Sequence, residues 1–185
     1  MAERLCPWWM GYLLACPMRR WWQKPEELLA PYLHEGMTVL EPGPGMGFFT
    51  LPMSRMVGPA GRIVVIDIQA KMLESLRRRA SKAGIVERID ARLAQPDSLG
   101  IGDLNDRVDF VLAFAMVHEL PSPAVFFSEA AAAMKSGALM LLAEPGGHVT
   151  PAKFQAELDA AHKAGLEVTA RPEISKSLAA VLRKN

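Results

Sequence analysis

The segment Glu41-Pro42-Gly43-Pro44-Gly45-Met46-Gly47 sets an acid directly before three glycines that fall at every second position. Glycine tolerates positive φ and carries no Cβ, so such a loop lets the backbone press against a ligand. A short apolar run precedes it and a helix-like pattern follows. Strand, glycine turn and helix together are how α/β proteins hold a nucleotide-like ligand, with N–H groups of the helix's first turn facing it. The third glycine comes one residue too early for G-x-G-x-x-G, and Phe48 stands where that pattern has glycine. Glu41 would repel a pyrophosphate and favour a cation. Asp67 closes the β-branched run Val64-Val65-Ile66 about twenty residues after the glycines, the spacing at which a carboxylate meets a ribose diol. A second set of titratable side chains, His118-Glu119 and then Glu144 and His148, follows two later apolar runs. These can hold or move a proton, and as carboxylates and imidazoles they can also ligate a metal.

These residues need a frame that brings strand ends to one edge. Pro25 opens a short helix reaching residue 33, and Gly36 ends it. Strands are expected at 37–41, 62–68, 89–93, 108–116 and 138–143, and helices at 47–56, 70–83, 122–134 and 151–164. The 62–68 run suits a strand buried on both faces. Residues 89–93 contain Asp90 and Arg92, as an edge strand can. In 70–83, Met72, Leu73, Leu76 and Ala80 form one stripe, with Arg77, Arg78 and Lys82 opposite. Two strands, 166–170 and 177–182, close the chain, joined by the short link 171–176 that makes them antiparallel. The alternation predicts an α/β fold, Rossmann-like, with a seven-stranded mainly parallel sheet, an antiparallel last strand and helices on both faces. The expected division is an aromatic segment at 1–24 and one domain at 25–185.

The pattern Glu41-x-Gly43-x-Gly45-x-Gly47, with Asp67 and the closing antiparallel pair, resembles the class I S-adenosylmethionine (SAM)-dependent methyltransferases, in the small-molecule group that includes quinone biosynthesis. The resemblance covers nearly everything from Pro25 onward and implies SAM as cofactor. It implies that Glu41 receives the ammonium and Asp67 the ribose, with Ile68 and Met72 against the adenine face. Ala113 and Phe114 match residues lining the methionine moiety. The third motif departs from the family's Gly-Asp-Ala: in Leu93-Ala94-Gln95-Pro96-Asp97-Ser98-Leu99, Gln95 aligns with the adenine-binding acid and Asp97 competes with it. A glutamine carbonyl can accept that hydrogen bond. Arg19 or Arg20 is the candidate for the cofactor carboxylate.

Methyl transfer from a sulfonium is an in-line displacement that chiefly needs alignment and exclusion of water. His118, with Glu119, is the expected base or acceptor-orienting group, and Glu144 and His148 stand in reserve. No pair of these has helical i, i+4 spacing, so no metal is expected. Cys6 and Cys16 raise the alternative of a metalloid acceptor, against two small buried hydrophobes.

A formal net charge of +1, from 21 basic and 20 acidic residues, gives no field for nucleic acid. The expected partner is a small-molecule methyl acceptor, with the protein a monomer or homodimer. Two cysteines are too few for a disulfide framework and suggest a reducing, cytoplasmic setting. The apolar run 5–18 is broken by Pro7, Gly11 and Pro17, so no transmembrane segment or signal peptide is expected. Trp8, Trp9, Tyr12, Trp21 and Trp22 cannot share one helix face. They are expected to fold over the site as a lid, the alternatives being a membrane-surface anchor and core packing. A nucleotide-dependent oxidoreductase and a cofactor-binding module without turnover are the competing classes.

Overall fold

The computed structural model describes residues 24–95 and 97–185. Its strands form a seven-stranded sheet in the order β3-β2-β1-β4-β5-β7-β6. The chain divides into two compact units, one ending at Ala94 and the other running Gln95–Asn185.

In the first unit, helix α1 (Pro25–Leu29) opens on proline with Glu26 and Glu27 in its first turn. Strand β1 (Thr38–Pro42) pairs in parallel with β2 (Arg62–Asp67), Glu41 facing Val65 in register. Strand β2 pairs in turn with β3 (Ile89–Leu93). Ile63 to Ile66 are all buried, as two covered faces require, whereas β3 is half-exposed at the sheet edge. Helix α3 (Ala70–Lys82) buries Met72, Leu73, Leu76 and Ala80, the predicted stripe. Helix α2 spans Thr50–Met56 rather than beginning at residue 47. Residues 45–49 form turns instead, because Phe48 and Phe49 are buried edge-to-face at 5.0 Å rather than standing on a helix surface.

In the second unit, β4 (Val108–Phe114) pairs in parallel with β5 (Met134–Pro145). Between them, helix α4 (Pro123–Ala133) starts on proline, and its first turn is capped by the Ser122 hydroxyl accepting from the Val125 N–H. Strand β5 begins four residues earlier than the sequence suggests. Lys135-Ser136-Gly137 looks like a turn, yet Met134 already pairs with Val108, and a bulge with Gly137 at φ +79° absorbs the intervening residues. Helix α5 (Pro151–Lys163) repeats the device, with Thr150 capping Lys153. It buries Phe154, Glu157, Leu158 and Ala161. Strands β6 (Leu166–Ala170) and β7 (Ser177–Lys184) are antiparallel, as expected, and β7 lies between β5 and β6. Among the described residues no helix is long and apolar enough to cross a membrane.

Candidate active site

In the first unit the glycine loop leaves β1 and turns back at once. Gly43, Gly45 and Gly47 all have positive φ (67°, 54° and 85°), which L side chains adopt only with strain. Their roles differ. A Cβ on Gly45 would meet nothing within 4 Å among the described residues; one on Gly47 would lie 2.6 Å from Leu51 Cδ1. Gly45 therefore leaves room for a ligand, and Gly47 lets the loop pack on the helices beneath it. Arg79 on α3 donates to the Met46 carbonyl and fixes the loop from below; partial burial lowers its pKa.

Glu41, next to last in β1, lies beneath this loop at 3% exposure, and among the described residues its donor is the Thr50 hydroxyl at 2.5 Å. Burial pushes its pKa up to about 8 despite that bond. A cation would relieve the desolvated carboxylate, so the residue fits the ammonium role. Asp67 is half-buried at the end of β2, with one oxygen accepting the Gln69 N–H at 2.8 Å. Ile68, next in sequence, is 41% exposed, an apolar side chain held out at the carboxyl end of the strand. Met72 is buried in α3. The residues fit a nucleoside bearing a cationic tail: an open glycine cradle, a carboxylate for the diol, an apolar face and a buried acid.

In the second unit, Gln95 and Ser98 bridge each other through their backbones, and the side chains of Gln95 and Asp97 are exposed. Glu129 of α4 holds this turn, accepting from the Ser98 hydroxyl at 2.7 Å and the Leu99 N–H at 2.6 Å. Ala113 is buried and Phe114 half-buried at the end of β4. Ala115 follows at φ +55°, an unfavourable conformation for alanine, and the chain turns into a single 3-10 turn, Val117–Glu119.

That turn is organised by Glu144 of β5, which is fully buried. One of its oxygens accepts from the Met116 and Val117 N–H groups at 3.2 and 2.8 Å, and the other pairs with His118 Nδ1. This contact holds the imidazole with Nδ1 toward Glu144 and raises its pKa, against desolvation; Glu119 and Glu157 add to the rise. Glu119 Oε1 stands 3.9 Å from His118 Nε2, and the His148 ring lies 6.0 Å from that of His118. Glu157 of α5 is 6% exposed, its Oε2 has no hydrogen-bond partner among the described residues, and burial together with Glu144 pushes its pKa up to about 7. Among the described residues no three His, Cys, Asp or Glu side chains are set to hold a metal.

The structure thus joins His118, Glu119, Glu144 and His148, which the sequence offers separately. Three contributors were not anticipated: Arg79, Glu129 and Glu157. Only Glu157 left a sequence signal, as an acid on the apolar stripe of its helix. Arg19, Arg20, Cys6, Cys16 and the aromatic segment lie outside the described residues.

A methyltransferase-domain family matches residues 39–137, just over half of the 185 residues. The chain belongs to that family. A ubiquinone biosynthesis O-methyltransferase of Paramagnetospirillum magneticum is 30% identical over 118 residues, covering 64% of this chain and 43% of that protein. A ubiquinone/menaquinone biosynthesis C-methyltransferase of Enterobacter is 35% identical over 71 residues, covering 38% of this chain and 28% of that one. This methyltransferase-domain chain therefore spans less than half the length of these curated relatives. A solved structure, a SAM-dependent methyltransferase from Aquifex aeolicus, superposes with a TM-score of 0.84 at 25% identity, over 96% of this chain and all of that one. The family match includes the glycine loop, Asp67 and His118, and stops short of Glu144, His148 and Glu157.

Proposed function

We propose that the chain transfers a methyl group from SAM to a small molecule. The carrying observation is Glu41, a buried carboxylate that, among the described residues, accepts from one neutral donor, beneath a glycine loop whose Gly45 has no described atom within 4 Å of its Cβ position. An ammonium would complete it. In this reading Asp67 accepts from the ribose diol, Ile68 and Met72 serve the adenine face, and Gln95 accepts from the adenine amino group. Ala113 and Phe114 serve the methionine part. The bound cofactor supplies a methyl carbon on a sulfonium. The chain's own work is to align the acceptor, exclude water and manage one proton. His118 is the base or acceptor-orienting group, with Glu144 fixing the imidazole and Glu119 beside it.

The same reading makes residues 1–24 a lid over residues 25–185, with Trp8, Trp9 or Tyr12 lining the acceptor pocket. It makes the protein a cytoplasmic monomer or homodimer. Limited proteolysis tests the lid: cleavage before Pro25 slows when SAM is added, and equal cleavage with bound SAM rules it out.

Calorimetric titration tests the cofactor. SAM binds and NAD does not, and Asp67→Ala weakens SAM roughly tenfold to a hundredfold through loss of about 1.5–3 kcal/mol of charge-assisted hydrogen bonding. An unchanged titration with Asp67→Ala would remove the ribose assignment.

A further inference from the structure

The second unit carries a cleft of about 570 Å³, within the size range of small-molecule sites, between helix α5, the link that joins β6 to β7, and the start of β7. Its lining follows from the local sequence. Pro172 has a fixed φ and holds the preceding Arg171 in extended backbone. Regular pairing resumes where Ile174 bridges Ser177. Residues two apart on an extended chain project to the same side. Pro172 and Ile174 are accordingly half-buried, whereas Arg171 and Glu173 are exposed. The end of the link is fixed by its backbone. The Ser177 N–H donates to the Ile174 carbonyl at 3.0 Å, and the Gly146 N–H, just past β5, donates to the Lys176 carbonyl at 2.9 Å.

The cleft thus has an apolar base and a charged rim. Phe154 from α5, Ile174 from the link and Leu178 from β7 supply the apolar surface. Phe154 is buried and therefore held by packing, and Leu178 is half-buried. The rim carries two full charges of opposite sign, Arg171 and Glu173. Among the described residues neither makes a hydrogen bond or an ion pair. A guanidinium takes a carboxylate through two parallel N–H donors, and a carboxylate takes an ammonium. A ligand bearing only an acid would face Glu173 as a like charge, and one bearing only an amine would face Arg171 in the same way. A ligand bearing both meets two opposite charges.

We propose that this cleft binds a zwitterion on an apolar body, an α-amino acid with an aromatic or large aliphatic side chain. Its carboxylate accepts from Arg171, its ammonium donates to Glu173, and its side chain lies against Ile174 and Leu178 with Phe154 at the base. Exposed ion pairs are weak, so the apolar body supplies most of the affinity and the two rim charges supply the selection. The site lies wholly within the second unit. It goes beyond the methyl-transfer reading and does not rest on it.

The test titrates the nitrogen-15-labelled full chain with three probes that share one body: L-phenylalanine, 2-phenylethylamine, which lacks the carboxylate, and 3-phenylpropanoate, which lacks the ammonium. Phenylalanine should give saturable shifts at the backbone amides of residues 173–178. Each of the other two should bind about fivefold more weakly, and high salt should narrow that gap. Arg171→Gln should erase the preference for phenylalanine over the amine, and Glu173→Gln the preference over the acid. Both positions are exposed, so the fold should tolerate either change. No saturable shift with phenylalanine, equal binding of the three probes, or preferences unmoved by both substitutions overturns the proposal. The titrations contain no SAM. Their failure therefore leaves the methyl-transfer reading intact, and failure to bind SAM leaves this site intact.

Discussion

Glu41 and Glu144 are both glutamates buried near the carboxyl ends of parallel strands, β1 and β5, and their surroundings are opposite. Among the described residues Glu41 has one neutral hydroxyl donor, and its pKa is pushed up to about 8. Glu144 has two backbone N–H groups and an imidazole. Desolvation costs a lone carboxylate several kcal/mol unless something offsets it. At Glu144 the chain provides the offset itself, and the reward is a fixed 3-10 turn with an oriented His118. At Glu41 the carboxyl is left largely protonated, and in the proposed reading the cofactor's ammonium supplies the offset. The backbones divide the same way: the first unit turns through positive φ with glycines, whereas the second asks Ala115 to do it at φ +55°. The second unit braces its buried acid from within, and the first does so with a single hydroxyl among the described residues.

The largest expected effect separates the two acids by stability. Glu144→Ala leaves two N–H groups and the imidazole without their acceptor and should cost about 3–5 kcal/mol, a fall of roughly 10 °C in melting temperature. Glu41→Gln should stay within about 1 kcal/mol of the parent at pH 7, because the carboxyl is already largely protonated there. Its deficit should appear in SAM affinity, weakened at least tenfold. Equal destabilisation by both changes would break the contrast.

The pH dependence sharpens it. Glu41 binds its proton more tightly folded than unfolded, from about 4.5 to about 8, so the folded state holds the extra proton and stability falls as pH rises through that window. Glu157 acts in the same direction up to about pH 7. His118, whose pKa is raised, stabilises below its ordinary value and loses that contribution as pH rises through its folded one. Ligand-free protein should therefore melt at progressively lower temperature from pH 5 to 8. The slope is bounded by about 1.4 kcal/mol per pH unit for each proton involved. Glu41→Gln should flatten the curve, and a melting temperature that rises with pH would reverse the assignment. The smallest effect is at Ala115→Gly, which relieves left-handed strain but loosens the unfolded chain. A gain on the order of 0.5 kcal/mol is expected in denaturant melts, and a loss would mean that the alanine methyl contributes packing.

Much of this was legible in the sequence because it is local. The glycines, Asp67 and the apolar runs each carry their meaning within a few residues, and the short 171–176 link dictated the reversed final pair. Local reading failed where tertiary burial decided. Phe48 and Phe49 look compatible with a helix until their rings need a core, and Lys135-Ser136-Gly137 looks like a turn until Met134 finds Val108. His118 and Glu144 are 26 residues apart, and only strand pairing makes them partners. Arg79 reaches Met46 across 33 residues and looks like any basic residue in a helix's last turn. Glu157 was readable in principle, since an acid between Phe154 and Leu158 on a buried stripe must have a reason to be there.

The most direct test is proton release on cofactor binding. SAM is titrated calorimetrically at pH 7 in two buffers of different ionisation enthalpy, with the parent and with Glu41→Gln. At pH 7 a carboxyl of pKa about 8 is about nine-tenths protonated, and an arriving ammonium should force it to ionise. The account predicts binding with release of close to one proton, and weaker binding with almost none in Glu41→Gln. Absence of SAM binding, or tight binding with the same proton balance in both proteins, would contradict it.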